Sequence, residues 1–95
     1  MITPDELLQR GSAEGLAPLL HALWHDARGE WEAAHEMAQS VTTSEGAWVH
    51  AYLHRKEGDL SNADYWYSRA GHTRPSVTLE AEWADLVAGL QRGGF

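Results

Sequence analysis

Six histidines in 95 residues are the most chemically loaded side chains of this sequence, and four of them form two pairs of equal spacing. His21 and His25, then His50 and His54, stand four positions apart, which sets both imidazoles of a pair on one face of an α-helix. Such a pair can chelate zinc, nickel or copper, and two pairs offer four nitrogens. Equivalent side chains of stacked helical units point the same way, and packed helices lie about 8–10 Å apart, so the two pairs are expected to run in parallel rather than converge. What this spacing leaves is one pair with one acid: His50 and His54 as weak candidate ligands, completed by Glu57 or Asp64. The plainer alternative is imidazoles packed between helices and hydrogen-bonded there. No cofactor is expected. His35 and His72 show no partner in the sequence.

Catalytic patterns are scarce. There is no nucleophile elbow, phosphate loop, HExxH or dinucleotide fingerprint. Asp26, Glu57 and Asp64 could meet a histidine, but charges on helices are usually solvated. The expectation is a protein that is not an enzyme. Seven Lys and Arg against 14 Asp and Glu give a net charge of -7, which repels phosphate backbones and disfavours nucleic acid or anionic membrane as partner. Cysteine is absent, so neither a disulfide framework nor a thiolate metal site holds the chain. Asp5 and Glu6 stand where a secretory signal would be positive, and no apolar run approaches a membrane span. A cytoplasmic protein in one domain fits these features.

The elements that must position these residues are read from breakers and periodicity. Thr3-Pro4-Asp5-Glu6 has the signature of a capped helix start and predicts a short helix through Arg10, ended by Gly11. Leu16, Leu19, Leu20, Leu23, Trp24 and Ala27 form a helical stripe whose first turn is marked by Pro18 and which stops at Gly29. Trp31 to about Val41 is a third segment of helix formers. The fourth begins at Thr43 or Ser44, carries Trp48, Tyr52 and Leu53, and ends at Gly58. Asp59 or Ser61 caps the fifth, which Gly71 and Pro75 close. The last runs from Ser76 or Thr78 through Trp83 and Leu86 to Leu90, ending at Gly93-Gly94. No window alternates with period two, so no strand is expected.

Shifting the chain by 29 residues superposes His21 on His50, His25 on His54, Ala22 on Ala51, Gly29 on Gly58 and Ala34 on Ala63. One helical hairpin is used twice. With Gly58-Asp59-Leu60, Ala63, Tyr67, Ala70 and Pro75 at matching places, and Ala51 seven before the glycine, residues 15 to 77 resemble the tetratricopeptide repeat. The first unit matches at Ala22, Gly29-Glu30-Trp31 and Ala34, while Ala38 and Val41 replace Tyr67 and Ala70. LWHDARGEWEAAHEMAQ and WVHAYLHRKEGDLSNADYWYSRAG are also similar to a group of small bacterial proteins, a likeness that implies no activity.

The resemblance implies an all-α fold: two tetratricopeptide-like helical hairpins, 15–41 and 44–71, in a short right-handed stack. A short N-terminal helix and a C-terminal capping helix, 76–92, close the single domain 1–95. In this family the first helix of each unit lines the concave face, which implies a binding surface made by Asp26 of the first unit with Trp48, Tyr52, Arg55 and Lys56 of the second. Arg55, Lys56, Arg69 and Arg74 place four of the seven basic residues in one stretch, so an acidic peptide or ligand is the expected partner. In the bland alternative Arg55 pairs with Asp26, Glu57 or Asp59 for at most about 1 kcal/mol. Two repeats are few for a solenoid, so Leu7-Leu8 and Leu79–Leu90 are expected to cap its ends, and leftover apolar surface leaves room for a homodimer. Trp31 and Trp83 either face such a partner subunit or join the other tryptophans in the core.

Overall fold

Helix starts follow local capping chemistry. The computed structural model describes residues 1–92, and among them six α-helices and no strand occur: α1 (Pro4–Gln9), α2 (Pro18–Ala27), α3 (Trp31–Gln39), α4 (Ser44–Glu57), α5 (Leu60–Arg69) and α6 (Leu79–Gln91). Thr3 and Glu6 form the capping box of α1, and Thr43, Asp59 and Thr78 each accept a backbone N–H at the start of α4, α5 and α6. Pro18 stands in the first turn of α2, as expected; Leu16 of the stripe stays outside the helix, because the residue before a proline is pushed out of the α region and Ala17 is extended at ψ 153°. The expected stop at Gly93-Gly94 lies outside the described residues.

The repeated turn is visible in the backbone. Gly29 N–H bonds Asp26 O and Glu30 N–H bonds His25 O; 29 residues on, Gly58 N–H bonds Arg55 O and Asp59 N–H bonds His54 O. Both glycines are left-handed, with φ 78° and 87°, a conformation that other residues enter only with strain. Each turn folds two helices together, α2 on α3 and α4 on α5, while α3 and α4 join the two hairpins. Ala22, Ala34, Ala51 and Ala63 are fully buried, small residues that let the paired helices approach closely.

The C-terminal helix does not cap the end of the second hairpin. Instead α6 packs against α4, α2 and α1, and its backbone stays away from α5. Its stripe Trp83, Leu86 and Val87 meets Leu20 and Leu23 of α2, Val49 and Leu53 of α4 and Leu7 of α1 in one core. Packing that stripe between α2 and α4 removes its apolar surface from water. Trp83, expected at a terminal face or in the core, is in the core, with its indole N–H donating to Leu23 O at 3.1 Å. Of the Leu7-Leu8 pair only Leu7 is buried; Leu8 is 56% exposed. Gln91 bonds both Ile2 N–H and Ile2 O, at 2.7 and 2.6 Å, and so ties the two ends of the fold.

Gly46 decides how α4 leaves the preceding loop, since a Cβ there would overlap Val41 O and press on the Val41 side chain. Gly46→Ala is therefore expected to lower stability by about 1–3 kcal/mol through overpacking, against the gain of roughly 1 kcal/mol that alanine brings to an unhindered helix. Urea midpoints measure the sign. A stabilised variant would mean that the Val41 carbonyl is not packed there.

Candidate functional site

The five residues expected to form a binding face are together, but the chain uses them itself. Tyr52 donates its hydroxyl to Asp26 Oδ2 at 2.7 Å, and Lys56 Nζ donates to Asp26 Oδ1 at 2.9 Å. Arg55 Nη1 donates to Glu82 Oε1 at 2.7 Å, its Nη2 to Val77 O, and Trp48 Nε1 donates to Glu82 Oε2 at 3.2 Å. Tyr67 adds its hydroxyl to both oxygens of Glu82, at 2.8 and 2.6 Å. Asp26 and Glu82 are only 2% and 1% exposed, so each is a buried carboxylate compensated by one cation and by hydrogen-bond donors. Arg55 thus pairs with neither Asp26 nor its neighbours in sequence. α6 packs over part of the face expected to receive an acidic ligand and its Glu82 takes the guanidinium, while a pocket of about 440 Å³ remains between α1, α2, α4 and α6, lined by Asp26, Tyr52, Lys56, Leu79, Glu80 and Trp83. Burial, reinforced by the carboxylate each bonds, pushes the Tyr52 and Tyr67 phenols up and keeps them protonated.

The histidines gather on the other side of α4. His50 and His54 stack at 4.8 Å between ring centroids, and His35 of α3 meets them both. Its Nε2 lies 2.9 Å from His50 Nε2, so one ring donates and the other accepts. This contact is what the sequence left without a partner, because it depends on how α3 registers against α4. One signal was available: His35 follows Trp31 by four positions and shares its helix face. The two rings stack at 4.8 Å, and Trp31 donates its indole N–H to Leu53 O at 2.8 Å. Trp66 of α5 stacks on His50 at 4.0 Å. His54 Nδ1 lies 2.6 Å from Glu57 Oε1, and Asn62 Nδ2 lies 3.5 Å from its Nε2. Of the two acids expected beside the pair, Glu57 arrives, whereas Asp64 joins Arg74 at 3.2 Å. His21 and His25 repeat the stacking at 4.7 Å, but His25 turns to Glu30 at 2.8 Å. The two pairs do not converge, as expected, and it is α3 that supplies the third imidazole.

Beside His50 a cleft of about 210 Å³ opens between α3, α4 and α5, lined by Gln39, Thr42, Thr43, Ser44, Trp66 and Arg69. Of the four basic residues expected as an island, Arg55, Lys56 and Arg74 pair with Glu82, Asp26 and Asp64. Arg69 pairs with no carboxylate among the described residues; it bonds Tyr65 Oη at 3.1 Å and lies over the Tyr65 and Trp66 rings.

Burial, helped by the facing His35 and His54, lowers His50 to about 4, and burial likewise lowers His35. Trp66 and Arg69 face His50 from α5 and offer no negative charge to reverse this. The unfolded chain protonates His50 near its ordinary value of 6.5, the folded chain only near 4. Stability from keeping this ring neutral is complete above pH 6.5 and is lost as the pH falls toward 4, on the order of 3 kcal/mol in all. Urea unfolding of the wild type and His50→Gln at pH 7 and 4.5 measures this, with the carboxylates common to both; equal pH slopes would contradict it. No family model, curated protein or solved structure matches this chain.

Proposed function

We propose that this chain is a non-catalytic helical binding module of the tetratricopeptide type, and that it takes a peptide or small ligand presenting a carboxylate in the groove between α3 and α5. The observation that carries this reading is Arg69: a guanidinium of the second hairpin without a carboxylate, set over two aromatic rings at the lip of a polar cleft. Its planar fork can hold a carboxylate by two parallel hydrogen bonds. Thr42, Thr43, Ser44 and Gln39 line the cleft beside it with neutral donors. Tyr65 is 54% exposed and Trp66 half-buried, which gives rigid contact area at low entropic cost. The backbone of α5 lies against α4 alone among the described helices, and Tyr67 is its link to α6. With Arg55 and Lys56 paired to Glu82 and Asp26, the charge complementarity expected for the α2–α4 face is better met by Arg69 on the opposite side of α4.

The test is chemical-shift perturbation of the full chain by a short Glu-rich peptide with a free C-terminus. Shifts are expected at the Trp66 indole and at residues 42–44. Arg69→Ala should weaken binding at least tenfold, in line with about 1.5–3 kcal/mol for a charged hydrogen bond, and Arg69→Lys should recover part of it. Shifts centred on Lys56 and α6, or an Arg69→Ala variant that binds as well as the wild type, would overturn the reading.

A further inference from the structure

We propose that His35, His50 and His54 form a binding site for one borderline divalent transition-metal ion of the zinc, nickel or copper class. This does not depend on the carboxylate-binding reading, although both sites share the groove. Each of the three imidazoles can place a ring nitrogen within 4.8 Å of the other two. His35 Nε2 and His50 Nε2 are 2.9 Å apart, while two nitrogens on one tetrahedral zinc, each about 2.0–2.1 Å from the ion, stand about 3.3 Å apart. Rotamer adjustments of a few tenths of an ångström at one edge of the triangle, and somewhat more at the others, bring the set to ligating distances. The donors come from two helices, an i, i+4 pair on α4 and a single residue on α3, so the ion would join the two hairpins.

The surroundings are those of an oriented ligand set. The Glu57 carboxylate beside His54 Nδ1 accepts that N–H, which puts the lone pair on Nε2, where the long 3.5 Å contact from Asn62 Nδ2 is the one an ion would displace. A carboxylate behind a ligating imidazole fixes its tautomer and raises its basicity. Trp31, pinned to Leu53 O, braces the His35 ring, and Trp66 braces His50. Imidazole nitrogens without thiolates favour zinc, copper and nickel over magnesium and calcium. A net charge of -7 raises the local concentration of cations. The hydrogen bond between His35 Nε2 and His50 Nε2 leaves a proton on one of them, and an ion takes its place once that ring carries its proton on Nδ1 instead.

The experiment uses the untagged, chelator-treated full chain, titrated with Zn(II) by calorimetry and with Cu(II) by tryptophan fluorescence. Binding is expected at one ion per chain with micromolar or tighter affinity. Cu(II) should quench strongly, because Trp31 and Trp66 stack on ligating rings. His35→Asn should lose at least a hundredfold in affinity, and Glu57→Gln about tenfold. His35 is the least buried of the three ligands, and its variant, checked by circular dichroism, keeps the test valid if His50→Asn fails to fold. His21→Asn/His25→Asn should bind like the wild type. Binding weaker than about 100 μM, a His35→Asn variant of unchanged affinity, or loss of binding in the His21→Asn/His25→Asn variant would each overturn the proposal.

Discussion

A carboxylate buried to near-complete exclusion of water organises this fold. A carboxyl group in the interior needs its lone pairs filled, and Arg55, Trp48 and Tyr67 fill those of Glu82 from α4 and α5. Those donors fix where α6 lies. With Glu82 held against Arg55, the stripe Trp83, Leu86 and Val87 on the neighbouring face of α6 meets α2 and α4. α6 thereby lies against α2 and α4, and a cleft remains on the far side of α4, between α3 and α5.

The duplicated hairpin shows how one backbone design takes two chemical roles. The two turns repeat hydrogen bond for hydrogen bond, and the paired histidines stack at 4.7 and 4.8 Å. The side chains at equivalent places do not act alike. Asp26 and Arg55 are counterparts of opposite sign, yet they do not pair; each is neutralised elsewhere, by Lys56 and by Glu82. The first histidine pair has no helix of an earlier hairpin beside it, whereas the second has α3, and α3 brings His35.

Helix identity was legible because its signals are local. Thr3 with Glu6, Thr43, Asp59, Thr78 and the glycines at 29 and 58 act within four residues, and the helices begin and end there. Pro18 acts as locally: it stands in the first turn of α2 and holds Ala17 out of the helix. The site was less legible. Its residue types were visible, but Arg55 had acids nearby in sequence and took one 27 positions away. Likewise His35 found its partner 15 positions away, through helix register. Such pairings depend on which faces are buried, and burial of α6 over α2 and α4 is a property of the whole chain.

α4 concentrates this tension. It is buried on nearly every side, including His50, Tyr52 and His54, and it also carries the Arg55 that reaches Glu82. Apolar side chains of similar volume at such places are often as stable or more so. An ordinary central helix of a small domain would be filled with leucine and valine, as its face toward α2 and α6 is with Val49 and Leu53. The face toward α3 and α5 instead holds imidazoles braced by indoles, one of them kept neutral well below the usual histidine range. That exchange puts His50 on the wall of the cleft between α3 and α5, its ring in contact with His35 on one side and Trp66 on the other.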